Sequence, residues 1–268
     1  MNALSVTHPT LGRSRGPHPS EPPRDIAGVQ VAALSRADAV QSLTEAMDEG
    51  RFLRLAFSNA NLVNHAARDA TLRAQLAGFL ILPDGVGMDI ASRLLHGRGF
   101  PANLNGTDFI PALLAAQPRG RRVALLGGRP GVAERAAEVL RQAHPAHDFT
   151  VLGPGYFSQA EETALLRRLE DARPDLLLVA FGNPRQERWI ARHLSAAHCS
   201  IAAGVGALFD FIAGDIPRAP ETMRRLRLEW LFRLAREPRR LWRRYVVGNP
   251  LFLARVLIHK LRTGRSRR

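Results

Sequence analysis

Six consecutive apolar residues, Leu176 to Phe181, run straight into Gly182-Asn183-Pro184 and then a helical pattern, and this stretch constrains the fold more than any other. A strand with one solvated face alternates apolar and polar side chains. A strand with no polar residue must be covered on both faces, as in a parallel α/β sheet. Gly182 ends the run, and Pro184 suits the first turn of a helix, where its missing amide hydrogen has no intrahelical partner. The loop is thereby placed at the carboxyl end of a central strand, where open α/β sheets bind their ligands. Gln186 and Glu187 fall in the first helical turn beside free amide groups, so they are placed either to face a polar ligand or to cap the helix.

The same layout recurs along the chain. Ile26 to Gly50 reads as a short strand and a helix, with Ser35 as cap for Ala37 to Met47. Phe52 to Phe57 is a strand ending in Ser58-Asn59-Ala60-Asn61, and a helix follows from about Leu62 to Leu76. Phe79 to Leu82 runs into Pro83-Asp84-Gly85-Val86-Gly87, which puts the Asp84 carboxylate at the sheet's edge, although Asp-Gly is also a common turn pair. In Asn103 to Phe109, Thr107 or Asp108 can cap a helix running to about Ala116. Arg122 to Gly128 ends in the pair Gly127-Gly128, which lets a ligand approach the backbone and leaves helix amides free for a phosphate. Phe149 to Leu152 and Ser200 to Gly204 are further strands, the latter opening into Gly206 and Asp210. Such alternation implies a doubly wound, Rossmann-like α/β fold with a mostly parallel sheet and helices on both sides.

Three regions follow. Residues 1–25 hold five prolines among Ser, Gly and Arg and are expected to be a disordered leader. Residues 26–225 form the α/β core, and 226–268 a basic helical appendage. The formal net charge is +14, and Arg218 to Arg268 contributes +13 of it, from 16 Lys and Arg against 3 Glu. In the appendage, Leu226 to Ala235, Arg239 to Val247 and Leu251 to Arg262 read as three helices broken at Pro238 and at Asn249-Pro250. Arg233, Arg236, Arg240, Arg243 and Arg244 would share a face if the helical direction continues across Pro238. Arg255, His259 and Arg262 would form a polar stripe opposite Leu253, Leu257 and Leu261. A basic amphipathic tail of this kind suits an anionic membrane surface, or alternatively a solvated face over the core.

The single cysteine, Cys199, excludes an internal disulfide and a cysteine zinc cluster and fits a reducing compartment. No stretch approaches the length needed to span a bilayer and no signal peptide opens the chain, so a cytoplasmic protein is expected. No Asp-x-Asp, HExxH or GxSxG occurs, which leaves no recognisable metal site or nucleophile elbow. The absence of GxGxxG argues against a nicotinamide-dependent oxidoreductase. The basic tail on a Rossmann-like core keeps a nucleic-acid-binding protein as the alternative function, but aromatic residues for base stacking are sparse, and no nucleic-acid partner is expected.

Taken in series, Asn59-Ala60, Pro83-Asp84-Gly85-x-Gly87, Asn105-Gly106-Thr107-Asp108, Leu126-Gly127-Gly128, Gly182-Asn183-Pro184-x-Gln186-Glu187, Gly204-Val205-Gly206-x-x-Phe209-Asp210, Arg218-Ala219-Pro220, Glu229-Trp230-x-x-Arg233 and Glu237-Pro238-x-Arg240 resemble the WecG/TagA/CpsF family of bacterial glycosyltransferases, family 26. The resemblance spans roughly Ile26 to Phe252. It implies an inverting, metal-independent transferase without cofactor. Such an enzyme moves N-acetylmannosamine, its uronic acid or glucose from a UDP-sugar onto a polyprenyl-diphosphate-linked saccharide at the inner face of the cell membrane, and a homo-oligomer is compatible with it. By the same resemblance Asp84 is the general base. Arg233, Arg240 and Arg243 match the appendage arginines that stabilise departing UDP, and Asn59 and Gln186 match polar residues near donor or acceptor. The substrate-binding set implied by the motifs also takes in Gly85, Asn105, Thr107, Asp108, Gly127, Gly128, Asn183, Glu187, Gly206, Asp210 and Arg218. One departure stands out: the family often has Thr two residues before the asparagine, and here Phe57 occupies that place with Ser58 next to it.

Overall fold

The computed structural model of the chain describes residues 21–225 and 228–265. Of the expected leader, residues 1–20 lie outside the described residues, and the remainder joins the fold slightly earlier than expected, at Arg24. The reason is one side chain: the nearly buried Arg24 guanidinium donates to Ser92 Oγ at 2.7 Å and to the carbonyls of Arg98 and Gly99 at 3.0 and 2.7 Å.

A hairpin of β1 (Arg24–Ile26) and β2 (Val29–Val31) leads into α1 (Arg36–Asp48), whose Ser35 cap accepts from Asp38 N. Then come β3 (Leu53–Ser58), α2 (Ala60–Ala66), α3 (Ala70–Leu76), β4 (Phe79–Pro83), α4 (Val86–His96) and α5 (Gly106–Ala115). β5 (Arg122–Gly127), α6 (Val132–Ala143), β6 (Asp148–Gly153), α7 (Gln159–Ala172), β7 (Leu176–Ala180), α8 (Arg185–His193), β8 (Ile201–Gly204) and α9 (Leu208–Ile212) complete the core. The single helix expected over 62–76 is two, because Asp69 caps a fresh start by accepting from Leu72 N.

β3 to β8 form one six-stranded parallel sheet in the order β4-β3-β8-β7-β5-β6. This is the α/β, Rossmann-like architecture expected from the alternation. In β7, Leu176, Leu178 and Ala180 join the core on one face while Leu177 and Val179 join the core on the other, which is why this strand reads as uninterrupted apolar residues. The register pairs Ser58 with Pro83, Gly127 with Ala180, and both Ala56 and Val179 with Gly204. The loops after β3, β4, β5, β7 and β8 therefore leave the sheet at one edge.

After α10 (Glu221–Arg225), the appendage comprises α11 (Glu229–Arg236), α12 (Pro238–Trp242), a π-helical turn (Arg243–Val247) and α13 (Gly248–Arg265); Leu226 and Arg227 lie outside the described residues. The expected break at Asn249-Pro250 does not occur. The wider turn before it, in which Gly248 N donates to Arg243 O five residues back, carries the chain past the proline. α13 docks on the core through Phe252 and Val256, both fully buried against α2 and α4. Arg255 donates to the Asn64 side-chain oxygen at 2.6 Å, and His259 lies 3.5 Å from Asp25. Of the stripe expected to be polar, Arg255 and His259 thus partner the core and Arg262 is exposed, while Leu257, Ile258 and Leu261 opposite stay exposed as well. Helical phase set by Phe252 and Val256 decides this, and leucine spacing alone does not carry it.

Candidate active site

Asp84 follows β4 directly, its amide donating to Ser58 O at 2.8 Å, so the end of β3 fixes its backbone. Asn59 caps α2: its side-chain oxygen accepts from the amides of Asn61 and Leu62 at 3.1 and 3.2 Å. The cap leaves only the NH2 end of Asn59 to point away, and it donates to Asp84 Oδ2 at 3.2 Å. Among the described residues the other oxygen, Oδ1, accepts no hydrogen bond. Burial pushes the Asp84 carboxyl above the usual carboxylate range, against the Asn59 bond and the charges of Arg244 and Arg233.

Asp84 and Asn59 line a cleft of about 790 Å³ along the carboxyl edge of the sheet. The cleft also takes in Thr107, Gly128, Asn183, Gln186, Gly206, Asp210, Arg233 and Arg240 of the expected set. Its backbone wall is glycine-built. Gly128 in that wall adopts φ +75°, and just before it in the chain, outside the lining, a Cβ at Gly127 would lie 2.6 Å from the Ala180 carbonyl oxygen, so no side chain fits there. Phe57 lines the cleft and packs edge-on to Phe109. The neighbouring Ser58 is fully buried with its hydroxyl toward Met88, so no hydroxyl faces the cleft from this point of the chain.

Arg233 and Arg240 do converge on this cleft, and so do Arg236 and Arg244 of the same stripe. They do so around a corner, since Glu237 leaves helical geometry at φ −129°, ψ 58° between α11 and α12. Arg243 is not brought to Asp84; it lines a second cleft on the other side of the π turn. Sequence reading also misses Arg129, Tyr156 and Arg185. Arg185 lies over the rings of Tyr156 and Phe181, and Arg129 sits 3.3 Å from Asp215. Arg129 follows the glycine pair directly, which was the available signal.

Several expected ligand residues hold the site's frame, Gln186 while also lining the cleft. Gln186 Oε1 accepts from Gly182 N and Gly206 N, both at 3.0 Å, clasping the loops after β7 and β8 together. Asn105 caps α5 through Asp108 N at 3.0 Å. Gly85 gives its amide to Asn103 Oδ1 at 2.8 Å. Arg218 bridges Asp108 at 2.8 Å and Glu229 at 2.9 Å, tying the start of the appendage to α5. None of Asn105, Asp108, Gly85, Gly127 and Arg218 lines the cleft. Among the described residues no group of three or more His, Cys, Asp or Glu is placed to hold a metal ion.

Glu187 is a correction of another kind. One residue further round α8 than Gln186, it is fully buried beneath the cleft and accepts from Gln186 Nε2 at 2.9 Å and from Asn183 Nδ2, while Oε2 has no hydrogen-bond partner among the described residues. Burial pushes its carboxyl from 4.5 up to about 7. Between those values the folded chain binds more protons than the unfolded one, so stability falls as pH rises from about 5 to 8. The gap corresponds to roughly 3 kcal/mol. Glu187→Gln keeps the acceptor oxygen and is expected to flatten this slope when urea midpoints are compared at pH 5 and pH 8; an unaltered slope would show that Glu187 does not carry it.

A family profile described as "Glycosyl transferase WecG/TagA/CpsF family" matches residues 24–266. Three similar proteins are each named N-acetylglucosaminyldiphosphoundecaprenol N-acetyl-beta-D-mannosaminyltransferase. The one from Bacillus spizizenii is 29% identical over 81% of this chain and 83% of its own length. Those from Bacillus subtilis and Staphylococcus aureus (strain MRSA252) are 32% identical over 66% and 68%, and 28% identical over 87% and 91%, respectively. A match that runs from β1 into α13, over a cleft built by the motifs themselves, fixes the assignment: the chain is a glycosyltransferase and belongs to the WecG/TagA/CpsF family.

Proposed function

We propose that this enzyme transfers a sugar from a UDP-sugar to a saccharide linked to a polyprenyl diphosphate, with inversion and without a metal ion. The observation that carries the reading is the meeting of one half-buried carboxylate, Asp84, with arginines from the appendage in a single glycine-walled cleft. Asp84 Oδ1 takes the proton of the acceptor hydroxyl as its oxygen bonds to the anomeric carbon from the face opposite the donor phosphate. The bond from that carbon to the phosphate oxygen breaks, and UDP leaves with the electron pair. Arg233 and Arg244 meet the charge that develops on the diphosphate. N-acetylmannosamine is the first sugar to test, since the relatives are named for its transfer.

Membrane association belongs to the same reading. Among the described residues, seven of the ten large exposed apolar side chains lie in the appendage, from Leu231 to Leu261. Val246 and Val247 recur eleven residues on as Leu257 and Ile258, three helical turns later. With arginines around them, these residues suit an anionic bilayer surface at its cytoplasmic face. No described helix is long and apolar enough to cross a membrane.

The test is transfer itself. UDP release from UDP-N-acetylmannosamine is expected only when a short-chain prenyl-diphosphate-linked N-acetylglucosamine is present, and at an unchanged rate in EDTA. Release without acceptor, or its loss on chelation, would contradict the reading.

A further inference from the structure

A second cleft, of about 470 Å³, lies between one face of α2 and the π turn with the start of α13. Its seam is fixed by Asn64, whose Nδ2 donates to Gly248 O at 2.7 Å and whose Oδ1 receives Arg255. Arg68, Arg243 and Arg244 line it, together with Arg240 and His65, and among the described residues no carboxylate does. Among the described residues none of Arg68, Arg243 and Arg244 has an ion-pair partner. Their charges converge closely enough that Arg68 and Arg244, with Arg188, add to burial in holding His65 below its ordinary pKa. Guanidinium groups gathered in a concave site repel one another, and a multivalent anion relieves that repulsion. The relief is greatest at Arg68 and Arg243, which have no acid beside them among the described residues, whereas Arg240 pairs with Glu237 and Arg244 also acts on Asp84.

Two features narrow the anion. Arg240 and Arg244 line both clefts, and the α2 face of the second begins just past Asn59, which holds Asp84. From Asn61 on α2 to Arg68 in the turn that ends it the lining runs roughly 10 Å, room for a sugar between the base and a phosphate group. At the rim, Trp242 and Val247 are about half exposed, 45% and 51%, and offer an apolar exit.

We infer that the second cleft binds the diphosphate of the lipid-linked acceptor, with Arg68 and Arg243 as its ligands and Arg244 between the two clefts, leaving the first cleft to the donor diphosphate. The inference rests on the proposed acceptor class and assigns it a site. Both arginines are exposed, so their replacement leaves packing intact.

Farnesyl diphosphate, which carries the diphosphate and an apolar chain but no sugar, is the probe. Binding to the full chain in detergent, followed by tryptophan fluorescence, is expected to be unaffected by saturating UDP. It is expected to weaken about 30- to 100-fold in the double variant Arg68→Gln/Arg243→Gln, while UDP affinity changes less than twofold. In the transfer assay the same variant should raise the acceptor KM and spare the donor KM. Competition between farnesyl diphosphate and UDP, or unchanged farnesyl diphosphate binding in the variant, would overturn the inference. So would a variant that loses only its binding to phosphatidylglycerol vesicles, since the arginines would then serve phospholipid headgroups. Transfer with an unchanged acceptor KM would refute this site and leave the proposed reaction standing. Diphosphate binding here without any transfer would do the reverse.

Discussion

Asp84→Asn is expected to slow transfer by about 10²–10⁴-fold while leaving the fold and donor binding intact. The amide fills the same space and still offers Asn59 an oxygen, so the contact at 3.2 Å is retained. Removing a desolvated charge does not weaken the folded state: burial raises the Asp84 carboxyl, which means that its ionised form is held there at a cost. The thermal midpoint of the variant should equal or exceed that of the parent chain, which separates loss of the base from loss of structure. In the proposed role, Asp84 of the parent chain acts only when ionised. Its rate should therefore climb with pH through a value above the ordinary carboxylate range, and this limb should vanish in the variant. A variant with full turnover would remove Asp84 from the chemistry.

Arg233→Ala is expected to lower kcat/KM by about 10²–10³-fold, the scale for removing one preorganised donor from a developing anion. Arg233 lies over the Phe211 ring at 5.1 Å, and its buried Nε has no hydrogen-bond partner among the described residues. Phe211 holds the guanidinium plane in place before any ligand arrives. Arg240 is differently situated: exposed, and paired with Glu237 at 2.7 Å, so its replacement should cost about tenfold or less. Arg218→Ala should act on stability instead, because Arg218 spends both ends of its fork on Asp108 and Glu229. Steady-state kinetics beside thermal midpoints for the three variants distinguish the roles; equal losses in kcat/KM at Arg233 and Arg240 would deny Arg233 a special place.

The strands of the parallel sheet were legible because burial on both faces leaves an apolar run with a glycine or proline at its end. The runs read at Phe79, Arg122 and Leu176 begin where β4, β5 and β7 begin. The loops carrying Asp84, Gly128 and Gly206 follow from that layout. Local pattern does not carry helical phase. Gln186 and Glu187 are adjacent in sequence, yet one clasps two glycine loops at the cleft and the other is shut beneath it. Arg243 and Arg244 likewise diverge, one to the second cleft alone and the other to both. The hairpin of β1 and β2 is not legible because each strand has only three residues, and the contact that anchors it, Arg24 to Ser92, spans 68 positions in sequence.

A structure of the Asp84→Asn variant soaked with UDP-sugar and a short-chain acceptor tests the central claim most directly, because slow turnover lets both substrates remain. The expected density places the donor diphosphate against Arg233 in the larger cleft and the acceptor hydroxyl within hydrogen-bond reach of the side chain at position 84. Donor phosphates bound away from Arg233, or an acceptor hydroxyl turned from position 84, would contradict it.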